Sequence, residues 1–397
     1  MKIILRTPHF FSAALALLLP GLALGQGSLT PPGAPGPTMK TLDQLDSKLD
    51  TGNTKLDGLD ARAEKRTPIS TLPYTISASG SYYLTGSLTA PAGQSGITIA
   101  ASDVSLDLNG FALNGTGAAA AASGIVINAS TKDVHLQHGG VVGWPGKGIA
   151  SDPTSLQIVC EDLRVRDCLG GGIALGNSSA VRRCHVNNCT NGPGVSVGFT
   201  ALVEQTLCDH DLKGIVGSQS VTVRNCTVTF CNANAIETGP RATVSDCLGT
   251  GNGTNGILTG GDSRISRCTI DQFGGAAINA GDNTIVQDCV ASTQGNDALL
   301  LGGHCLAQRN LCSGFGGGSG AIGIHATGGT NRIEENHIYA AGRGILLLGT
   351  GTITIRNSIE GCNTPLTIPA GNVTGTPVAS EAAMNSATNS NVNIVLP

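Results

Sequence analysis

Aromatic and charged residues are both scarce in this chain. Phe, Trp and Tyr make up 3% of it and Asp, Glu, Lys and Arg 13%, with a formal net charge of −4. A charge-poor, weakly acidic chain lacks the basic surface that nucleic acids or an anionic membrane surface would require. A long apolar run is also missing after the N-terminus, so no later segment reads as a membrane span. The first residues differ. Lys2 and Arg6 precede an apolar stretch from Phe10 to Leu19, and Ala23-Leu-Gly25 stands before Gln26. This pattern predicts a signal peptide over 1–25 and export to the periplasm or the medium. The residue directly after the expected cut is Gln26 and not cysteine, which argues against a lipid anchor.

Glycine, by contrast, is abundant, with 57 residues, and there are 13 cysteines. The cysteines recur in a phrase: Val-Arg-Asn-Cys226-Thr-Val, Val-Ser-Asp-Cys247-Leu-Gly, Ile-Ser-Arg-Cys268-Thr-Ile and Val-Gln-Asp-Cys289-Val-Ala, spaced by 21 residues. The position continues as Asn310, Asn336 and Asn357. A period this long exceeds one strand and falls short of a domain, which is the mark of a solenoid. A Gly/Ala-aliphatic step accompanies it, from Gly96-Ile97 through Gly172-Ile173, Gly214-Ile215, Ala235-Ile236 and Ala298-Leu299 to Gly344-Ile345. Short strands with period-2 apolar patterning and Gly/Asn/Asp turns predict an all-β parallel β-helix of about twelve turns over 96–362. At about 4.8 Å per turn this is a rod roughly 58 Å long.

In an exported protein, cysteines usually form disulfides. Stacked in-register side chains run parallel at about 4.8 Å, whereas a disulfide needs Cβ atoms about 3.8 Å apart and facing each other. The cysteines therefore read as buried thiols that pack as small apolar groups. One or two bridges between adjacent turns stay open, and the odd count leaves at least one thiol free. The residue before each Cys/Asn position alternates in sign: Asp246, Arg267, Asp288, Arg309, Glu335, Arg356. This reads as a self-paired ladder that disfavours slippage by one turn.

Other segments flank the repeats. Residues 26–38, with four prolines, read as a leader. Over 39–66, Leu42, Leu45, Leu49, Gly52, Leu56, Leu59 and Ala63 follow 3-4 spacing. That predicts a short helix, or a small coiled coil joining copies of the chain through 40–65. Residues 67–95 hold three of the four tyrosines and read as an N-terminal cap. Residues 363–397 read as a C-terminal cap and tail, with Val392-Asn-Ile-Val-Leu396 docking as a final strand.

The V-x-x-C/N-x-V … G-I-x-L turn, over roughly residues 90–362, resembles right-handed parallel β-helix proteins of the pectin-lyase-like superfamily. The openings Ile69-Ser-Thr-Leu-Pro-Tyr-Thr-Ile76 and Val104-Ser-Leu-Asp-Leu-Asn-Gly110 look like the exported bacterial type. The superfamily spans lyases, hydrolases, epimerases, adhesins and proteins of no assigned activity. The resemblance therefore implies a fold and leaves enzyme or non-enzyme open. It also implies that a cleft would follow the Gly-Ile strand, whose outward position reads Ala150, Ala174, Ser196, Val216, Glu237, Leu258, Asn279, Leu300, His325, Leu346.

That strip is mostly small or apolar. Together with the position just before the Gly/Ala step, which adds Asp297 and Arg343, the most compact reactive group is Asp297, His325 and Arg343, suited to a lyase: a base for the proton α to a uronate carboxylate and a cation to hold that carboxylate. Glu237, Asn279 and Lys213 are candidate glycan contacts. Gly295-Asn-Asp297 and Gly303-His304 are loosely similar to polygalacturonase elements, but the second aspartate pair and the Arg-x-Lys element are missing. No cofactor is implied. Asp262 and Asp282 offer a Ca²⁺ two carboxylates, too few alone. Phe199, Phe230, Phe273 and Phe315 form a sparse candidate stripe for a glycan. The primary expectation is a non-catalytic exported rod, surface or periplasmic, with polysaccharide as its expected partner. The alternative is a lyase or related enzyme acting on acidic glycans.

Overall fold

A computed structural model of the chain describes residues 42–60, 66–117, 121–251, 253–314, 320–380 and 390–396. The predicted signal peptide and leader lie outside these residues. The chain divides into two units, 1–64 and 65–397. In the first, the helix Leu42–Asp60 runs through Gly52 without a break. Leu42, Leu45 and Leu49 are exposed along it.

The second unit is a parallel β-solenoid. Each coil places one short strand in a 14-stranded sheet and two in a 28-stranded sheet, and the pairings between rungs are parallel among the described residues. The solenoid thus has about fourteen turns rather than twelve. The two extra rungs are Tyr74–Ile76, paired with Ile97–Ile99, and Thr364–Thr367, paired with Arg343–Leu347. Neither carries a Gly-Ile step. Residues read as a cap therefore carry strands of the solenoid itself. The segment Asn393–Leu396 pairs with Ser358–Glu360 and closes the far end.

Why these residues form coils follows from alternation. Along the first strand of the large sheet, Val223, Val244, Ile265, Val286, Ala307 and Ile333 stack in register and are fully buried. The 14-stranded sheet supplies Ile215, Ile236, Ile257, Ile278, Leu299, Ile324 and Ile345 to the same core. Their neighbours point outward, as period-2 geometry requires.

The corner between the two strands of the large sheet is made by one left-handed residue per coil. Asp246, Arg267, Asp288, Arg309, Glu335 and Arg356 have φ between 53° and 59°. For residues with a Cβ this conformation costs roughly 1–2 kcal/mol each. In return it turns the chain within one residue and throws the charged side chain outward. The alternating charges resolve into discrete pairs rather than an even ladder. Arg267 donates two hydrogen bonds to Asp246, at 2.6 and 2.8 Å, and Arg309 two to Asp288, at 2.7 and 3.1 Å. Arg356 reaches Glu335 at 3.1 Å and Glu334 at 3.0 Å.

The next residue turns inward. Here stand Cys184, Cys226, Cys247, Cys268 and Cys289, buried, their thiols donating to the carbonyl two residues earlier. All thirteen cysteines are free, so the open question of a bridge between turns resolves to none. The column then becomes an asparagine stack. Asn310 Nδ2 donates to Asn336 Oδ1, Asn336 Nδ2 to Asn357 Oδ1, and Asn357 Nδ2 to Asn393 Oδ1, at 3.0 to 3.1 Å. Asn393, from the final strand, is a rung that spacing alone does not reveal, since it lies 36 residues beyond Asn357.

Candidate functional site

The 14-stranded sheet presents the predicted strip in the predicted order. Register pairs Val126 with Ala150, then Ala174, Ser196, Val216, Glu237, Leu258, Asn279, Leu300, His325 and Leu346. At about 4.8 Å per rung, Glu237 and His325 are four rungs, roughly 19 Å, apart.

Asp297 and His325 do meet. His325 Nδ1 lies 2.9 Å from Asp297 Oδ2. The other ring nitrogen, Nε2, is buried and has no hydrogen-bond partner. Leu300 and Leu346 flank His325 on the adjacent rungs, and Leu346 is itself buried. Arg343 does not join them. It stands on the Asp297 column two rungs along, with Ile322 between, exposed and without an ion-pair partner among the described residues.

The glycan-contact candidates form a separate group. Lys213 Nζ donates to Glu237 Oε2 at 2.7 Å, and Asn234 Nδ2 donates to the same oxygen at 2.8 Å. Burial raises the Glu237 pKa, but those two hydrogen bonds outweigh it and hold the carboxyl below its ordinary range. Asn279 is half-buried two rungs away. The phenylalanine stripe dissolves: Phe273 is a core residue at 1% exposure, while Phe199 and Phe230 are exposed. Phe273 turns inward because it follows the left-handed residue Gln272 (φ 63°). Phe315 lies outside the described residues.

Asp262 Oδ1 accepts from Asn283 Nδ2 at 3.1 Å, and Asp282 Oδ1 from the Gly303 amide at 2.7 Å. His304 sits at a left-handed corner (φ 57°), where its role is in the turn.

Two features escaped the sequence reading. One is Asp211, fully buried in a column that otherwise reads Cys168, Cys189 and Cys231. Each of these follows a left-handed residue: Asp167, Asn188, His210 and Phe230. Asp211 Oδ1 accepts from the Cys189 amide at 2.7 Å, and Oδ2 has no partner. Burial pushes its carboxyl up to about 7. Burial likewise pushes the Cys184 and Cys231 thiols up to about 12, which keeps them protonated and unreactive. The signal for Asp211 was the register of a second cysteine column, weaker than the first.

The other is a pair of clefts on the large sheet, away from the predicted strip. One, of about 390 Å³, lies between Phe111, Gly140, Arg164 and Arg166. The other, of about 400 Å³, lies between Asp271, Ser292, Ser313 and Tyr339.

Fourteen parallel rungs around an aliphatic core make the described residues of the second unit a parallel β-helix. Residues 214–364 match the family described as the right handed beta helix region. Among curated proteins, no sequence matches. Solved structures similar to the chain include the A-module of the Azotobacter vinelandii mannuronan C-5 epimerase AlgE4, at 15% identity and a TM-score of 0.43, covering 75% of this chain and 91% of that one. The AlgE6 A-module of the same organism is similar at 12% identity and a TM-score of 0.47, covering 81% and 91%. A tailspike of Escherichia coli bacteriophage HK620, in complex with a hexasaccharide, is similar at 13% identity and a TM-score of 0.40, covering 91% and 75%.

Proposed function

We propose that the protein is an exported, non-catalytic β-helix that serves as a surface or periplasmic rod and binds polysaccharide. The observation that carries the non-catalytic reading is the state of His325. Its Nδ1 is taken by Asp297, and its Nε2, the atom that would have to reach a substrate proton, is covered. A general base must come within hydrogen-bond reach of the proton it removes. The other acid on the strip, Glu237, is engaged by Lys213 and lies three rungs, about 14 Å, from the Asp297 strand. Two-carboxylate glycoside hydrolysis needs about 5 to 9.5 Å.

The long in-register face, one rung per roughly 4.8 Å, suits an extended polymer better than a small molecule. The exposed leucines of the helix extend the reading: Leu42, Leu45 and Leu49 are the seam through which copies associate.

The test is a screen of acidic polysaccharides with the full chain, scoring unsaturated products and new reducing ends. Binding without turnover is expected. Turnover that Asp297→Ala or Arg343→Ala abolishes would replace the rod with a lyase or related enzyme.

A further inference from the structure

The first cleft on the large sheet lies where two of its longest strands, Lys132–Val142 and Leu156–Arg166, run side by side. Its floor is one outward column, Ala112, Gly140 and Arg164, and the next outward column ends on Arg166. Phe111, half-buried, forms one wall. The volume, about 390 Å³, falls within the roughly 300–1,000 Å³ of small-ligand sites.

Gly140 is the informative residue. Its φ is not among the positive values, so the backbone does not demand glycine there. Nor does packing: a Cβ would meet Ala112 Cβ at 3.5 Å, an ordinary contact. The adjacent Gly139 is different, since a Cβ there would lie 2.3 Å from Leu108 Cβ. Glycine inside a strand weakens it and often marks a place where another molecule comes close to the backbone. With neither conformation nor packing to require it, Gly140 keeps the cleft floor low.

The charges around the floor leave one cation over. Asp162 is held by Arg183, whose Nε and Nη2 donate to it at 2.9 Å each. Arg166 pairs with Asp167 at 2.7 Å. His138 lies 3.5 Å from Asp107 and 3.9 Å from Asp162. Arg164 alone is exposed and has no partner among the described residues. Its guanidinium is a planar fork that matches a carboxylate, and it stands about 6.6 Å along the strand from Arg166.

We infer that this cleft binds a carboxylate-bearing sugar, a hexuronate unit of an acidic polysaccharide, with Arg164 clamping the carboxylate, Arg166 supporting it and the sugar lying over Gly140 against Phe111. The inference rests on the polysaccharide-binding reading and names its ligand class. It also moves binding to a face other than the Asp297–Arg343 strip.

Calorimetric titration of the full chain with oligogalacturonate, a neutral glucan of equal length and dextran sulfate tests it. Oligogalacturonate alone should bind. Arg164→Ala should weaken it at least tenfold, as should Gly140→Leu, which fills the floor and keeps both arginines. Neither variant should melt below the parent, because Arg164 is exposed and a Cβ on Gly140 meets only ordinary contacts. Arg343→Ala should bind as the parent does. Binding to none of the polymers would overturn the polysaccharide reading and the site together. Three outcomes would overturn the site alone: preference for the neutral glucan, equal binding of dextran sulfate, or oligogalacturonate binding that Arg164→Ala and Gly140→Leu leave unchanged.

Discussion

Ile270 Cγ2 fills the space that a side chain on Gly256 would need: a Cβ on that glycine would sit 2.1 Å from it. The same relationship recurs along the rod. Gly214 faces Val228, Gly323 faces Ile338 and Gly344 faces Ile359, at 2.2 to 2.7 Å from a would-be Cβ. In three coils where the facing residue is small, alanine stands in the glycine's place, whereas Gly194, in the coil of Cys208, stays glycine because a Cβ there would lie 2.2 Å from Asp211 Oδ2. By register, Ala235 shares its coil with Gly249, Ala277 with Ala291 and Ala298 with Cys312. The Gly/Ala alternation thus follows the volume of the facing side chain, and a Cβ on Gly256 would in addition lie 2.5 Å from the Ala277 carbonyl oxygen of the next rung.

Gly256→Ala should therefore destabilise by about 1–3 kcal/mol through overpacking, and Ile270→Ala by about 2–5 kcal/mol through a cavity. The double variant reproduces the Ala277/Ala291 combination. It should cost at least about 1 kcal/mol less than the sum of the single changes. Urea denaturation of the four proteins measures the coupling, and strict additivity would refute the compensation.

Asp211 makes stability depend on pH. Its folded pKa of about 7 lies above the ordinary carboxyl value of 3.8, so the fold favours the neutral acid. That preference is fully present below pH 3.8 and is lost as pH rises through 7, beyond which a buried, half-satisfied carboxylate remains. A shift of this size is worth up to about 4 kcal/mol. Asp211→Asn should match the parent near pH 3.5 and exceed it by about 2–4 kcal/mol near pH 8. Denaturation midpoints at the two pH values check this, and a stability gain independent of pH would count against it.

Asn336 receives the Asn310 backbone N–H and side-chain amide, both at 3.0 Å. Asn336→Ala strands the backbone donor in the core and leaves the side-chain amide only its bond to the Val286 carbonyl, and each unsatisfied buried group costs about 1–3 kcal/mol. A loss of about 2–5 kcal/mol is expected. Asn336→Cys should cost less, because cysteine occupies the same column at Cys247, Cys268 and Cys289. Thermal melts of the two variants give the ranking.

Leu42, Leu45 and Leu49 lie on the first two turns of the helix, with exposures of 84%, 52% and 64%. If they are a seam between copies, replacing all three with serine in the full chain lowers the mass measured by light scattering. A parent that is already monomeric would dismiss the association.

Much of this was legible in the sequence. The 21-residue spacing of Cys226, Cys247, Cys268 and Cys289 determined the solenoid, because a repeat that stacks in register must return the same side chain to the same place. The outward strip from Ala150 to Leu346 followed from period-2 alternation alone. Local patterning stops where contacts depend on the length of intervening loops. Asn393 joins the asparagine stack across an irregular segment, and Asp297 reaches His325 across 28 residues that carry no fixed spacing. Whether His325 Nε2 is open or covered, which arginine keeps an unpaired guanidinium, and whether a glycine serves packing or an open cleft are properties of side chains brought together by three-dimensional register. Those properties separate a reactive site from a covered one, and only the tertiary structure decided them.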